Sequence, residues 1–130
     1  MTFICYDKCS TCKKAQNWLD AQGKPYTRRE IKAEPPTEAE LRAWVARSGL
    51  PLKRFWNTSG QQYRALGLKD KLADMSEDAQ LRLLASDPML VRRPLLIGEG
   101  FAYPGFRQEE WEAALCEGPD GTGRKNVDFS

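Results

Sequence analysis

Residues 2–22 of the chain, TFICYDKCSTCKKAQNWLDAQ, carry the pattern that decides the fold. The run at 2–6 is short, β-branched and aromatic, which is typical of a buried strand. Residues 11–22 contain no Gly or Pro, and their apolar residues recur at helical spacing, so we predict an amphipathic helix there. Cys9 and Cys12 lie on the turn that joins the predicted strand to the predicted helix.

Three further strands and a last helix follow in an order that predicts the architecture. Residues 25–31 are a second strand, which completes a βαβ unit. The apolar run 95–97, the turn 98–100 and the run 101–103 predict a β-hairpin, and a helix follows at 108–116. A βαβ unit joined to a ββα unit predicts an α/β fold with a thioredoxin-like, or glutaredoxin-like, mixed sheet.

The stretch between the two units predicts helices. Thr37 and Glu40 have the spacing of a capping box, and Ser76 is an N-cap for a later helix. We therefore expect a single thioredoxin-like domain over residues 1–116, with a helical insertion at about 36–88. Residues 117–130 are rich in glycine and almost free of apolar residues, so we expect a flexible C-terminal tail.

The composition excludes several classes of chemistry. The chain has 130 residues and no histidine, so Ser-His-Asp and Cys-His nucleophile pairs are absent, as is imidazole acid–base catalysis. Its formal net charge is only +2, which predicts no direct nucleic-acid binding. We see no basic leader before an apolar stretch and no apolar run long enough for a bilayer, and we therefore expect a cytoplasmic monomer without a membrane role.

The cysteine pair is the first candidate site. A sulfur at a helix N-terminus lies near free backbone amides, which favour the thiolate, and Cys9 has that position with three lysines nearby. Cys12, one helical turn further on, suits a resolving thiol. A Cys-x-x-Cys is also half of a zinc site, but Cys5 and Cys116 do not form a second pair. We therefore prefer a redox pair to a metal site. A third interpretation is that both cysteines are ordinary core residues without a chemical role.

Arg92, Arg93 and Pro94, just before the third predicted strand, form the second candidate site. A cis Pro94 would bring the backbone against the cysteine turn, and a guanidinium there would stabilise a thiolate or bind an oxyanion. The alternative is that both arginines lie on a solvated surface.

Together these motifs resemble the arsenate reductase/Spx-like family of bacterial thioredoxin-fold proteins. The resemblance spans most of residues 3–115 and rests on three blocks in the family's order. The blocks are 9–15 (CSTCKKA), 55–60 (FWNTSG) with 63–64 (YR) and 66–70 (LGLKD), and 89–96 (MLVRRPLL) followed by 105–106 (GF).

The resemblance implies roles for individual residues. Cys9 matches the attacking cysteine, with Cys12 as the resolving thiol and Arg93 as the anion or thiolate stabiliser. Asn57 stands where a further arginine would be expected, and Arg107 is adjacent to another such position. The residues expected to bind substrate or thiol are Ser10, Thr11, Asn57, Pro94 and Arg107.

Two functions follow from the resemblance. The first is an arsenate reductase-like thiol-disulfide oxidoreductase that uses the CxxC pair, holds no bound cofactor or metal, and takes electrons from glutathione or from a glutaredoxin or thioredoxin. The second is an Spx-type redox-sensitive regulator that binds the C-terminal domain of the RNA polymerase α subunit. A second cysteine three residues after Cys9 is shared with the redox switch of the Spx type.

Overall fold

A four-stranded mixed sheet organises the protein in the computed structural model, which describes residues 1–116. The strands are β1 (Thr2–Cys5), β2 (Thr27–Glu30), β3 (Leu95–Ile97) and β4 (Ala102–Pro104), in the order β2-β1-β3-β4. β1 pairs in parallel with β2 and antiparallel with β3, and β3 pairs antiparallel with β4. The predicted thioredoxin-like sheet is therefore confirmed, while the predicted tail, residues 117–130, lies outside the described residues.

Helices connect and flank these strands. Their bounds are α1 (Ser10–Ala21), α2 (Glu38–Ser48), α3 (Gln61–Ala65), α4 (Leu68–Lys71), α5 (Glu77–Ser86) and α6 (Gln108–Cys116). Three short 3₁₀ turns cover Leu52–Phe55, Leu72–Asp74 and Pro88–Leu90. Both predicted N-terminal caps are present: Thr37 and Glu40 form the capping box of α2, and the Ser76 hydroxyl accepts a hydrogen bond from Ala79 N–H. The sequence pattern did not predict α4 or the 3₁₀ turns.

Alternation along the strands divides the core into two apolar clusters. Phe3 and Cys5 of β1 face one cluster, and Ile4 between them faces the other, because successive side chains of a strand point to opposite faces. The first cluster receives buried residues of α1 and the fully buried Trp111 of α6. The second cluster is filled from the segment between β2 and β3, including the fully buried Trp56.

Two loops from distant parts of the chain are tied together beside the sheet. Arg92 N–H donates to the carbonyl oxygen of Phe55 at 2.9 Å, and Asn57 N–H donates to that of Leu90 at 2.8 Å. Trp56 and Val91 form an antiparallel bridge between these bonds. The helical segment thus places the residues around Asn57 next to the residues that precede β3.

Within residues 1–116, no helix combines the length and apolar character that crossing a bilayer requires.

Candidate active site

Cys9 occupies the N-cap position of α1. Its backbone is extended, and its Sγ atom accepts a hydrogen bond from Cys12 N–H at 3.3 Å. The sulfur therefore takes the place that a Ser or Asp oxygen takes in an ordinary N-cap. Free amides and the helix dipole at this end of α1 favour a negatively charged group. Cys9 is half-buried, which leaves its sulfur accessible to a reactant.

Cys12 lies behind Cys9 in the core. Its side chain is buried in the same cluster as Phe3 and Trp111, and its Sγ atom accepts a hydrogen bond from Tyr6 N–H at 3.4 Å. Burial raises the pKa of the Cys12 thiol to about 12. Cys12 is therefore a protonated thiol at neutral pH. The two cysteines differ in accessibility, since Cys9 is half-buried and Cys12 is buried. Cys5, Cys9 and Cys12 are all free thiols.

Arg93 and Pro94 meet the cysteine turn through Tyr6. The Arg93–Pro94 peptide bond is cis, as the sequence hypothesis proposed, and Pro94 is buried. The Arg93 guanidinium carbon lies 5.2 Å from the centre of the Tyr6 ring, within cation–π range. Tyr6 in turn bonds to both cysteines, since its carbonyl oxygen accepts from Cys9 N–H at 3.0 Å and its N–H donates to Cys12.

A cavity of about 560 Å³ opens beside Cys9. Its lining includes Thr11 from the start of α1, Asn57 from the loop after the first 3₁₀ turn, and Arg93. No carboxylate is present among its lining residues, whereas it contains five basic ones: Lys53, Arg54, Arg92, Arg93 and Arg107. A cavity lined by this positive charge attracts anions.

Three of these arginines, Arg54, Arg92 and Arg107, form what we call the arginine cluster. Burial, followed by the positive charges of Arg54 and Arg107, lowers the pKa of Arg92. Arg54 bonds to both carboxylate oxygens of Glu110, at 3.0 and 3.2 Å. The Nε atoms of Arg92 and Arg93 are buried and have no hydrogen-bond partner within the described part of the chain.

The structure brings together most of the predicted site residues. Those that line the cavity are Cys9, Thr11, Asn57, Arg93 and Arg107. Cys12 and Pro94 are buried and do not line the cavity. Ser10 is exposed as the first residue of α1 and does not line it either. The alternative that Arg92 and Arg93 lie on a solvated surface is wrong, because both are half-buried cavity residues.

The sequence analysis missed Arg54, and it singled out Arg92 without predicting its place beside Arg107. Arg54 precedes the buried Phe55 in a 3₁₀ turn, and only the pairing of that segment with residue 92 brings it to the cavity. A basic residue directly before the FWNTSG block was the available signal, and it is a weak one.

Within residues 1–116, no three His, Cys, Asp or Glu side chains are grouped as a metal site would need.

Comparison with known proteins places this geometry in a family. The ArsC family model matches residues 5–114. The chain belongs to the ArsC family. It is 49% identical over 112 residues to the uncharacterized protein YusI of Bacillus subtilis (strain 168), covering 86% of this chain and 95% of YusI. The predicted resemblance to the arsenate reductase/Spx-like family is thereby confirmed.

Two other similar proteins carry different descriptions, one a regulatory protein and the other a possible arsenate reductase. The chain is 30% identical over 110 residues to the regulatory protein MgsR of Bacillus subtilis (strain 168), covering 85% of this chain and 86% of MgsR. A crystal structure described as a possible arsenate reductase from Streptococcus mutans UA159 is 50% identical and superposes with a TM-score of 0.78. That match covers 85% of this chain and 96% of the other.

Proposed function

We propose that this ArsC-family protein is a thiol-disulfide oxidoreductase in which Cys9 is the nucleophile and Cys12 the resolving thiol. The Cys9 thiolate attacks one sulfur of a disulfide, forming a mixed disulfide and displacing the other half as a thiolate. Cys12, once deprotonated, attacks the Cys9 sulfur and releases the second half, which leaves a Cys9–Cys12 disulfide. Two molecules of glutathione restore both thiols and become one glutathione disulfide.

The observation that carries this proposal is the position of Cys9. Its sulfur accepts a hydrogen bond at the N-terminus of α1, and the half-buried residue lines a cavity that contains five basic residues and no carboxylate. Positive charge and helix amides are the two features that activate a thiol as a nucleophile. The buried position of Cys12 is weaker evidence for a redox function, since free cysteines are common in protein cores.

Arg93 is the proposed stabiliser of negative charge in this reaction. Its position over Tyr6 fixes it next to the cysteine turn, and its buried Nε has no partner among the described residues. Asn57 and Thr11 line the same cavity and supply polar side chains for the reactant. The reductant would be glutathione or a glutaredoxin or thioredoxin, and arsenate is the oxidised substrate that the family relationship suggests testing beside disulfides.

Turnover with glutathione tests the proposal. The purified protein is supplied with glutathione and either hydroxyethyl disulfide or arsenate, and consumption of glutathione is followed. We expect Cys9→Ser to abolish turnover while keeping the helix cap, because a Ser oxygen is a preferred N-cap acceptor. Cys5→Ala, at a buried thiol of β1, is the matched control and should retain turnover. Full activity of Cys9→Ser would overturn the proposal.

A second candidate function is a redox-sensitive transcriptional regulator, which the 30% identity to MgsR favours. Here oxidation of Cys9 and Cys12 would change a binding surface rather than support turnover. Because Cys12 is buried in the apolar cluster that also contains Phe3 and Trp111, formation of the disulfide would disturb the packing of α1 on the sheet. Binding of the purified C-terminal domain of the RNA polymerase α subunit, measured with reduced and oxidised protein, tests this function, and no binding in either state would contradict it.

A further inference from the structure

The arginines that line the cavity beside Cys9 lie in two groups, with Arg93 in one and the arginine cluster in the other. Arg93 lies over Tyr6, and its Nη1 donates to the carbonyl oxygens of Met89 and Val91 at 3.4 and 3.3 Å. Arg92, the preceding residue in the chain, belongs instead to the arginine cluster. Its N–H bonds to the carbonyl oxygen of Phe55, which follows Arg54, and its side chain lies against Gly105, two residues before Arg107. Both groups line the same cavity, so one ligand can meet both.

The arginine cluster carries more positive charge than the neighbouring residues neutralise. Glu110 is the carboxylate that pairs with Arg54, and the structure shows no ion pair for Arg92 or Arg107 within the described residues. Arg92 donates from Nη2 only to the Thr58 hydroxyl, at a long 3.3 Å. A partly buried guanidinium normally pairs with an anion, because desolvating it without one costs free energy. Arg92 and Arg107 therefore have no anionic partner among the described residues.

The size of the cavity limits what that partner is. At about 560 Å³, it falls in the range of roughly 300–1,000 Å³ that small organic ligands occupy in proteins. A bare tetrahedral oxyanion would fill a small part of it and contact one group of arginines. A thiol with a carboxylate several bonds from its sulfur would place the sulfur at Cys9 and the carboxylate at the second group. Arginine suits this task because its fork of N–H donors matches a carboxylate.

We propose that the arginine cluster binds a carboxylate group of the thiol or disulfide that reacts at Cys9. This inference rests on the proposed redox function of Cys9, and it names the class of reactant: a small anionic thiol in its disulfide form. The exchange itself is unchanged, with a new bond between Cys9 and one half of the disulfide and the other half leaving as a thiolate. The carboxylate contact brings the disulfide to the sulfur without taking part in bond breaking.

Glu110 acts as an internal competitor in this subsite. Because it bonds to Arg54 through both carboxylate oxygens, it reduces the charge that Arg54 offers to a ligand. Removal of its charge should therefore strengthen binding of the ligand carboxylate, whereas removal of an arginine should weaken it. A purely structural role would not produce opposite effects on one kind of substrate.

The test compares two disulfides with the same protein. Dithiodipropionate carries two carboxylates, and hydroxyethyl disulfide carries none. The rate of mixed-disulfide formation at Cys9 is measured for each by rapid alkylation and mass spectrometry. Arg92→Gln and Arg107→Gln should each lower the ratio of the anionic to the neutral rate roughly five- to tenfold, and Glu110→Gln should raise it about twofold or more. The ratio should also fall as salt is added.

Two variants at exposed arginines separate loss of the carboxylate contact from loss of folding or of overall charge. Arg107 is exposed, so Arg107→Gln probes the cluster without opening the core. Arg64→Gln removes the same charge from an exposed position of α3 outside the cavity, and it should leave the ratio unchanged. Equal loss with both disulfides, or no change in the ratio for either cluster variant, would overturn the carboxylate subsite while leaving the redox function standing. Absence of reaction at Cys9 with either disulfide in the unmodified protein would overturn the redox function itself.

Discussion

The backbone N–H of Cys12 donates a hydrogen bond to the Sγ atom of Cys9 at 3.3 Å, so the first cysteine of the pair caps the helix that contains the second. This contact separates the chemistry of the two thiols. Cys9 receives the amide and faces the cavity, whereas Cys12 turns its own sulfur into the core towards Tyr6 N–H. Only one of the two sulfurs is placed to meet an incoming reactant, and the other must be ionised inside the protein before it can act.

Burial of Cys12 makes its reaction slow at neutral pH. Its pKa is raised to about 12, so the thiolate fraction grows about tenfold for each pH unit below that value. With Cys9 first converted to its mixed disulfide with glutathione, we expect intramolecular release of glutathione to accelerate about tenfold per unit between roughly pH 7 and 9. Release is followed by acid quenching and mass spectrometry.

The matched variant for this prediction is Cys12→Ser, which should form the same mixed disulfide and release nothing at any pH. A release rate in the unmodified protein that does not depend on pH would show that Cys12 is already ionised in the mixed disulfide. The nearby sulfur of Cys9 contributes to the raised pKa of Cys12, but burial is its largest cause and remains after Cys9 has reacted.

A charged contact between β2 and α2 should make stability depend on pH. Arg29 donates to both oxygens of Glu40, at 2.9 and 2.8 Å, and thereby lowers the pKa of that carboxyl to about 2. A lowered pKa stabilises the folded state above the unfolded value near 4.5, and this stabilisation is lost as the pH falls towards 2. Since the Glu40 side chain is 36% exposed, we expect about 1 kcal/mol from the charge.

Glu40→Gln isolates that charge, because Gln still serves as the acceptor in the capping box with Thr37. We expect it to lower the free energy of unfolding by about 1 kcal/mol at pH 7 and to equal the unmodified protein near pH 2. Urea titrations at several pH values measure this difference. Glu99→Gln, at an exposed carboxylate with no ion pair among the described residues, should change little. A deficit that stays constant with pH would contradict the ion-pair explanation.

Gln80 of α5 links the segment that contains Trp56 and Asn57 to the turn that precedes α5 through side-chain hydrogen bonds. Its Oε1 atom accepts from the buried Trp56 Nε1 at 3.3 Å, and its Nε2 donates to the carbonyl oxygens of Leu72 and Met75. Gln80→Ala should cost about 1–3 kcal/mol of unfolding free energy, since it leaves a buried donor without a partner. Denaturant titration measures the loss. Gln62→Ala, at an exposed side chain bonded only to Asp87, should cost much less, and similar losses for the two would contradict the argument.

Local patterns in the sequence were enough to predict the sheet and the cysteine turn. β1, α1 and the hairpin of β3 and β4 each follow from periodicity and turn residues within one short stretch. The place of Arg54 could not be predicted in this way, because it depends on the pairing of residues 55–57 with residues 90–92. Nor does helical periodicity reveal turns as short as Leu68–Lys71. The arginine cluster is formed by contacts between segments that are far apart in the sequence, and such contacts cannot be predicted from a local sequence pattern.

Gly105 is required by the geometry of Arg92 as well as by its own backbone. Its φ is +77°, and a Cβ atom there would lie 3.0 Å from Arg92 Cδ, tighter than ordinary contact. Gly105→Ala should cost more than the ~1–2 kcal/mol of a left-handed Ala and should also displace Arg92 from the cavity. The first effect is measured by thermal unfolding and the second by the ratio of anionic to neutral disulfide reaction at Cys9.

Gly49 provides the control for this substitution, because it has a similar φ of +67° and nothing within 4 Å of an added Cβ. Gly49→Ala should show the backbone cost of about 1–2 kcal/mol alone and leave the disulfide ratio unchanged. The difference between the two variants then measures the contact with Arg92. Equal losses of stability would mean that the Arg92 side chain moves aside freely, and an unchanged ratio in Gly105→Ala would mean that its exact position does not matter for the anionic reactant.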